Sequence, residues 1–249
     1  MSAGTTLGGF DVALDAVSHR PGPPAASSVR ILTRPHPTVD VPGRHGAAER
    51  VEHWLALDDG RRDPLPVRRW HGPPEPELDA VLDRCVGPTI DLGCGPGRLT
   101  VALARRGLVA LGVDISAEAV RLTRTRGVAA LRRDIFEPLP GEGRWAHALL
   151  VDDNVGIGGD PVRLLRRCAA LIASAGTVVV EVKPPGAGLW RGTARVVSRT
   201  PSLAISRGPA FPWARVGAEA VGKVATAAGL SVAARFRSGA RWFVELVAP

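Results

Sequence analysis

Apolar runs alternate with amphipathic segments through the middle of the chain. Five short apolar runs predict strands, at 89–92, 108–113, 129–133, 146–151 and 177–182. Three segments between them carry apolar residues at helical spacing, at 99–106, 117–126 and 161–173. Strands that alternate with helices in this way indicate a parallel sheet covered by helices on both faces.

The C-terminal part of the chain predicts a different connection. A helix over 213–228 ends at Gly229, and two further strands follow at 231–237 and 242–247. The four residues between these strands are too few for a crossover, so the strands must pair as an antiparallel hairpin.

The N-terminal part has a less regular pattern. Residues 10–17 could form a short amphipathic element, and 18–45 are rich in Pro, Gly and Ser, which favours loop. Apolar spacing predicts a helix over 47–57, an extended stretch over 65–70 and a helix over 75–86. We therefore expect an N-terminal extension or cap over 1–72 and one domain over 73–249, with an insert at 184–212.

Composition and charge narrow the class of protein. The chain has 249 residues, 45% of them hydrophobic, and a net charge of +8. It has no apolar run of membrane-spanning length and no pattern typical of a signal peptide, which predicts a cytoplasmic protein without a membrane partner. Its three cysteines lack the spacing of metal ligands, so no metal site is expected.

A glycine-rich turn follows the first predicted strand of the domain. The run Asp91-Leu92-Gly93-Cys94-Gly95-Pro96-Gly97 joins that strand to a helix, an arrangement that lets the backbone approach a nucleotide-like ligand closely. The dinucleotide fingerprint is broken, because Arg98 stands where a third glycine is required. Asp91 would repel a pyrophosphate but would suit a cationic ligand.

Acidic residues follow the next three strands as well. Asp114, Asp134 and the pair Asp152-Asp153 each come at a strand end, and Asp114 lies about 20 residues after the glycines, where ribose-binding acids are found. Each of these residues taken alone could simply cap a helix. Their common register with one glycine loop favours a single ligand site instead.

With these motifs the chain resembles the class I S-adenosylmethionine-dependent methyltransferases. The resemblance implies a doubly wound α/β fold with a seven-stranded, mostly parallel sheet of order 3-2-1-4-5-7-6 and an antiparallel last strand. It implies S-adenosylmethionine as cofactor, with the methionine part at the glycine loop, the ribose at Asp114 and the adenine at Asp134 and Ile135. The cofactor-binding residues it implies are Asp91, Gly93, Cys94, Gly95, Gly97, Asp114, Ile115, Asp134, Ile135 and Asp152.

Three polar residues near the implied reaction centre are candidates for a catalytic role in methyl transfer to the acceptor. Asp153 and Asn154 follow the fourth strand, and His71 precedes the helix that leads into the first strand, so these three are the catalytic candidates. The family members that methylate exocyclic amines of bases carry Asn/Asp-Pro-Pro-aromatic after the fourth strand. This chain has Asp152-Asp153-Asn154-Val155 there, which disfavours that chemistry.

The basic charge of the C-terminal quarter is compatible with more than one class of methyl acceptor. Residues 183–249 hold ten basic and two acidic residues, and Arg191, Arg195 and Arg199 lie in the insert. We expect a small-molecule acceptor, and these arginines would favour an anionic one. Alternatives are a nucleic-acid acceptor, for which the same charge would be the footprint, and a cofactor-binding protein without catalytic activity.

Overall fold

The computed structural model of the chain describes residues 51–248, so the predictions for 10–17 and 18–45 lie outside the described part. In chain order the strands are β1 (Glu52–Leu57), β2 (Arg62–Pro64), β3 (Thr89–Leu92), β4 (Ala110–Asp114), β5 (Ala130–Arg132), β6 (Trp145–Leu150), β7 (Ile172–Val182), β8 (Leu189–Arg199), β9 (Ile205–Arg207), β10 (Phe211–Val216), β11 (Ser231–Ser238) and β12 (Arg241–Val247). The α-helices are α1 (Val67–Trp70), α2 (Asp79–Leu82), α3 (Arg98–Arg105), α4 (Ala117–Thr125), α5 (Pro161–Leu171) and α6 (Val221–Ala227). Two 3₁₀ segments, Pro76–Leu78 and Asn154–Gly159, complete the described elements.

The larger of the two sheets in this part of the chain has seven strands. Their order is β11-β12-β7-β6-β3-β4-β5, and the strands from β5 to β7 are parallel. β12 runs antiparallel to both β7 and β11. Numbered along the chain within this sheet, the order is 3-2-1-4-5-7-6, which confirms the fold class and the antiparallel last strand.

Local sequence signals fix the helices that cover this sheet. Ser116 accepts a hydrogen bond from the backbone N–H of Ala119 and so caps α4, while Asp160 caps α5 and Pro161 opens it. The strands of the sheet centre are apolar because helices bury both of their faces; all four residues of β3, for example, are buried. The carboxyl ends of β3 to β7 are therefore held at one rigid edge.

The second sheet joins two segments that are far apart in sequence. Its order is β10-β8-β1-β2, with β9 paired to β8, so the N-terminal segment and the insert form one sheet rather than two separate appendages. β1 pairs antiparallel with β8 from Glu52↔Arg199 to Leu57↔Ala194. The apolar face of this second sheet packs around Leu55, Phe211 and Trp213. Ile157, from the 3₁₀ segment that follows β6, packs against the same cluster.

Four predictions of local structure were wrong in this part of the chain. Residues 52–57 form strand β1 rather than a helix, because pairing with β8 selects the two-residue alternation that buries His53, Leu55 and Leu57. Residues 67–70 are helical rather than extended. The helix predicted over 75–86 ends at Leu82, and the helix predicted from 213 begins at Val221, because 211–216 form β10.

No helix within residues 51–248 has both the length and the apolar character needed to cross a bilayer.

Candidate active site

A cavity of about 640 Å³ opens at the carboxyl edge of the parallel strands. Its floor is formed by the glycine loop after β3 and by the segments that follow β4, β5 and β6. Its roof comes from the smaller sheet and the adjoining helix α1. The apolar roof residues are Leu55, Leu65, Trp70, Phe211 and Trp213. The two sheets thus enclose a space that neither encloses alone.

The glycine loop can pass beneath this cavity only because it lacks side chains. Gly93, Gly95 and Gly97 have φ angles of 73°, 53° and 80°, which disfavour other residues. A Cβ on Gly93 would lie 2.6 Å from Asn154 Nδ2, and one on Gly97 would lie 2.5 Å from Thr123 Cγ2. A Cβ on Gly95 would meet nothing within 4 Å, so Gly95 borders open space. Gly93 and Gly95 line the cavity, and Gly97 does not.

Asp91 lies behind the loop rather than in the cavity. Its side chain is 2% exposed, and its Oδ2 accepts a hydrogen bond of 2.8 Å from Thr100 Oγ1. Burial raises the pKa of Asp91 to about 6. The structure thus does not bring Asp91 to the cavity wall, where the sequence pattern implied a contact with the ligand.

Two of the predicted acidic positions line the cavity with their geometry fixed by backbone groups. Asp114 accepts hydrogen bonds from the Gly95 N–H at 2.8 Å and from the Ser116 N–H at 2.9 Å. Asp134 accepts one from the Phe136 N–H at 2.9 Å. A carboxylate can accept about four hydrogen bonds, so the backbone contacts named here do not by themselves saturate either group.

Apolar side chains accompany these acidic positions. Ile115 follows Asp114, and Ile135 follows Asp134; both line the cavity. Phe136 follows Ile135 and also lines the cavity, and the Arg163 guanidinium lies 4.0 Å from the centroid of its ring. Cys94 also lines the cavity, and burial raises the pKa of its thiol well above the ordinary value. Cys94 therefore contributes packing rather than a thiolate nucleophile.

The segment after β6 brings three polar residues to the cavity in an unusual backbone conformation. Asp152 and Asp153 have φ angles of 59° and 65°, a left-handed geometry that costs non-glycine residues energy. Asp153 forms an ion pair with Lys183, whose Nζ also lies 3.6 Å from Asp63 Oδ2. Asn154 Nδ2 donates to the carbonyls of Leu92 and Gly93 at 3.0 and 2.9 Å, which fixes the glycine loop.

An ion network under this segment was missed by the sequence analysis. Arg98 Nη2 donates to both oxygens of Asp152 at 2.7 and 2.6 Å, and its Nη1 donates to Glu75. Arg241 Nη2 donates to Asp152 Oδ1 at 2.9 Å, while its Nε donates to Glu181 Oε1 at 2.8 Å. Burial raises the pKa of Glu181 although Arg241 opposes it. The sequence did hold one signal for this network, which is the single acidic residue, Glu181, in the apolar run of β7. A carboxylate buried in a strand needs a cationic partner, so Glu181 indicates a buried arginine or lysine nearby.

The remaining predicted residues lie elsewhere. The side chain of His71 does not line the cavity, and burial followed by the nearby charge of Arg126 lowers its pKa. Arg191, Arg195 and Arg199 do not line it either. The side chains of these insert arginines thus lie outside the cavity, and the preference for an anionic acceptor stays a prediction.

Comparison with known proteins places this site in context. Residues 90–176 match the model of a family described as a methyltransferase domain. The chain is 26% identical over 182 residues to the ubiquinone biosynthesis O-methyltransferase of Xanthomonas campestris pv. campestris (strain B100), covering 67% of this chain and 62% of that protein. It is 36% identical over 111 residues to the trans-aconitate 2-methyltransferase of Rhodococcus jostii (strain RHA1), covering 42% and 41% of the two chains. The chain thus spans about 62% of the first of these relatives.

Solved structures share the fold at low sequence identity. A SAM-dependent methyltransferase from Bacteroides fragilis, solved with S-adenosyl-L-homocysteine, has a TM-score of 0.64 and 18% identity, covering 80% of this chain and 88% of that one. The CcbJ methyltransferase from Streptomyces caelestis has a TM-score of 0.56 and 18% identity, covering 72% and 92%. The chain thus shares the fold of these solved methyltransferases, and the match to a methyltransferase domain covers residues 90–176.

Proposed function

We propose that this chain transfers a methyl group from S-adenosylmethionine to a small-molecule acceptor. One observation carries the proposal: a single cavity joins the open face of Gly95, the carboxylates of Asp114 and Asp134, and the apolar side chain of Ile135. These groups follow β3, β4 and β5, three adjacent strands, so they form a continuous wall along one sheet edge.

The residues present fit this cofactor. Ile135 and Phe136 offer an apolar surface for the adenine ring, and Asp134 an acceptor for its amino group. Asp114, whose carboxylate is held by the N–H groups of Gly95 and Ser116 at the cavity wall, would take the ribose hydroxyls. The open side of Gly95 would accommodate the chain that leads to the sulfur.

The chemistry needs little from the protein beyond position and environment. The bound cofactor supplies a methyl group on a sulfonium, which leaves as a thioether when a nucleophile attacks in line. The chain holds the two reactants in one orientation, and the apolar roof around Leu65, Trp70 and Trp213 excludes water.

Asp153 is the group best placed to orient the acceptor. It lines the cavity beside the glycine loop, and Lys183 holds its carboxylate in place. Where the acceptor carries a proton on the attacking atom, Asp153 would accept it as the new bond forms. Asn154 serves as a positioning residue, because its amide is committed to the loop carbonyls.

The surroundings of the cavity favour a small acceptor over a nucleic acid. Arg191 pairs with Asp160 at 3.2 Å and Arg199 with Glu52 at 2.5 Å, so these charges of the insert already have acidic partners. A roof closed by apolar side chains also suits a compact molecule better than a polyanion. The names of two curated relatives, which specify ubiquinone biosynthesis and trans-aconitate, agree with this size class.

Calorimetric titration of the full chain with S-adenosylhomocysteine tests the proposal. We expect saturable binding that Asp114→Asn weakens about tenfold or more, because the variant replaces a charge-assisted acceptor for two hydroxyls. The matched control is Asp83→Asn, an exposed carboxylate outside the cavity. Absence of binding by the unaltered chain would refute the proposal, and binding without methyl transfer to any acceptor in a screen would favour a non-catalytic protein.

A further inference from the structure

A β-hairpin of the second sheet exposes two large apolar side chains at its turn. The hairpin consists of the end of β8, the turn 200–204 and β9, and every residue from 201 to 207 is exposed. Leu203 is 72% exposed and Ile205 is 50% exposed. A single exposed apolar residue is ordinary, but two within three positions of one exposed turn form a small apolar surface, which we name the apolar tip.

The backbone of this turn satisfies its own polar groups. The Thr200 N–H donates to the Ala204 carbonyl at 3.0 Å, and the Leu203 N–H donates to the Thr200 carbonyl at 2.9 Å. The Ala204 N–H donates to Thr200 Oγ1 at 3.2 Å, and that hydroxyl lies 2.8 Å from Ser202 Oγ. These polar groups are paired within the turn, which is what an apolar surrounding requires of a backbone that enters it.

Leu203 also occupies a backbone conformation that disfavours leucine. Its φ angle is 64°, in the left-handed region that glycine and asparagine adopt at lower cost. Asparagine at this position would suit the same turn without exposing an apolar side chain to water. A strained residue of this kind points to a function at the turn rather than to the needs of folding.

One face of the second sheet joins the apolar tip to basic side chains. The alternation of side chains along β8 and β9 puts on this face the residues Arg195, Arg199, Ile205 and Arg207. It is the face opposite to the cavity, because Leu55 of the roof pairs with Val196, which alternates with Arg195. We name it the basic face.

Little acidic charge offsets these arginines. Arg199 pairs with Glu52 at 2.5 Å. Neither Arg195 nor Arg207 forms an ion pair with an acidic side chain within residues 51–248. Three arginines therefore stand against one carboxylate beside the apolar tip. A positive field next to an exposed apolar group complements a surface that is anionic outside and apolar beneath.

A lipid surface fits this combination better than a protein does. A stable protein interface buries about 1,200 Å² or more around an apolar core, whereas the apolar tip offers two side chains. A second copy of the chain would bring the same positive charge, which repels. Attachment to a bilayer surface needs only a shallow apolar insertion together with cations that attract anionic headgroups.

We propose that this hairpin is a contact site for an anionic lipid surface. Leu203 and Ile205 enter the boundary between headgroups and acyl chains, while Arg195, Arg199 and Arg207 bind lipid phosphates. Such a contact needs no apolar run long enough to cross a bilayer. Because the basic face is turned away from the cavity, the contact leaves the proposed site for the methyl donor accessible.

Co-sedimentation of the full chain with two kinds of vesicle tests the proposal. One kind contains phosphatidylcholine alone, and the other contains equal parts of phosphatidylcholine and phosphatidylserine. The variants are Leu203→Asn and the double change of Arg195 and Arg207 to Gln. Since asparagine tolerates the left-handed φ angle, Leu203→Asn removes the apolar side chain without disturbing the turn. The matched control is Val109→Asn, at a side chain that is 66% exposed outside the hairpin.

The unaltered chain is expected to bind the anionic vesicles about tenfold or more tightly than the neutral ones, and added salt should weaken this binding. Leu203→Asn and the double arginine variant should each weaken it about tenfold, while Val109→Asn stays within about twofold. Absence of binding to anionic vesicles, or binding that Leu203→Asn leaves unchanged, would overturn the proposal. Sedimentation velocity without vesicles checks the alternative occupant: a dimer that Leu203→Asn dissociates would assign the apolar tip to a second copy and overturn the lipid contact.

Discussion

Replacement of Asp91 by Asn is expected to change how the stability of the fold depends on pH. Asp91 lies within β3, is 2% exposed and has Thr100 Oγ1 as its side-chain hydrogen-bond partner. Burial disfavours its charged form, and this desolvation raises its pKa to about 6 from the ordinary 3.8. Asn has nearly the same shape and can accept the Thr100 hydrogen bond, but it carries no charge.

The magnitude follows from the two pKa values. Below pH 3.8 the Asp91 carboxyl is protonated in the folded and unfolded chain alike, so its titration contributes nothing to stability. Between about pH 4 and 6 the folded chain keeps a proton that the unfolded chain has lost, so stability falls as the pH rises. At about 1.4 kcal/mol for each pKa unit, the full cost above pH 6 is about 3 kcal/mol.

Urea unfolding between pH 4 and pH 8 measures this cost. The free energy of unfolding of Asp91→Asn minus that of the unaltered chain should rise by about 3 kcal/mol across the interval and stay level above pH 7. The contributions of the other titrating groups to the unfolding free energy are the same in both proteins and cancel in this difference. Any constant shift that the new amide adds to the difference does not change how the difference varies with pH. Asp83→Asn, at an exposed carboxylate, should show no such rise. A pH-independent difference for Asp91→Asn would refute the reasoning.

Two further predictions concern the loop and the insert. Gly93→Ala should weaken binding of S-adenosylhomocysteine about tenfold or more, because the new Cβ would lie 2.6 Å from Asn154 Nδ2 and φ is 73°. In an Asn154→Ala background the same change should cost less unfolding free energy, because the left-handed strain of about 1–2 kcal/mol and the contact of 3.1 Å with Ile157 Cδ1 remain while the clash with Asn154 is gone. Fully additive losses of unfolding free energy in the double-mutant cycle would contradict the contact with Asn154. The triple change of Arg191, Arg195 and Arg199 to Gln should leave S-adenosylhomocysteine affinity within about twofold in calorimetry, since these side chains do not line the cavity; a tenfold loss would show that they act on the site.

The sheet was predictable from sequence because its signals are local. The apolar run of β3, the glycines after it and the Asp160–Pro161 start of α5 each specify an element within a few residues. β1 was misread because Trp54 and Leu55 share one face of a helix, whereas Leu55 and Leu57 share one face of a strand, and so short a segment fits both patterns. The partner that decides between them, β8, lies more than 130 residues later, so no local signal could settle the choice.

The residues of the cavity also divide into those that local sequence signals predict and those that only the tertiary fold brings to the site. Asp114, Asp134 and Ile135 were predictable, because parallel topology brings the ends of adjacent strands together. Glu75 and Arg241 were not predictable, because they reach the ion network from the N-terminal segment and from the C-terminal hairpin. Their roles depend on ion pairs between segments that only the tertiary fold brings together, and a chain with 32 basic residues offers many other candidates.

A crystal structure of the chain with S-adenosylhomocysteine tests the central claim most directly. The account predicts the ligand in the cavity between the two sheets, with adenine against Ile135 and Phe136 and the ribose hydroxyls on Asp114. A ligand bound outside this cavity, or one that enters it with its adenine at Asp152, would contradict the account.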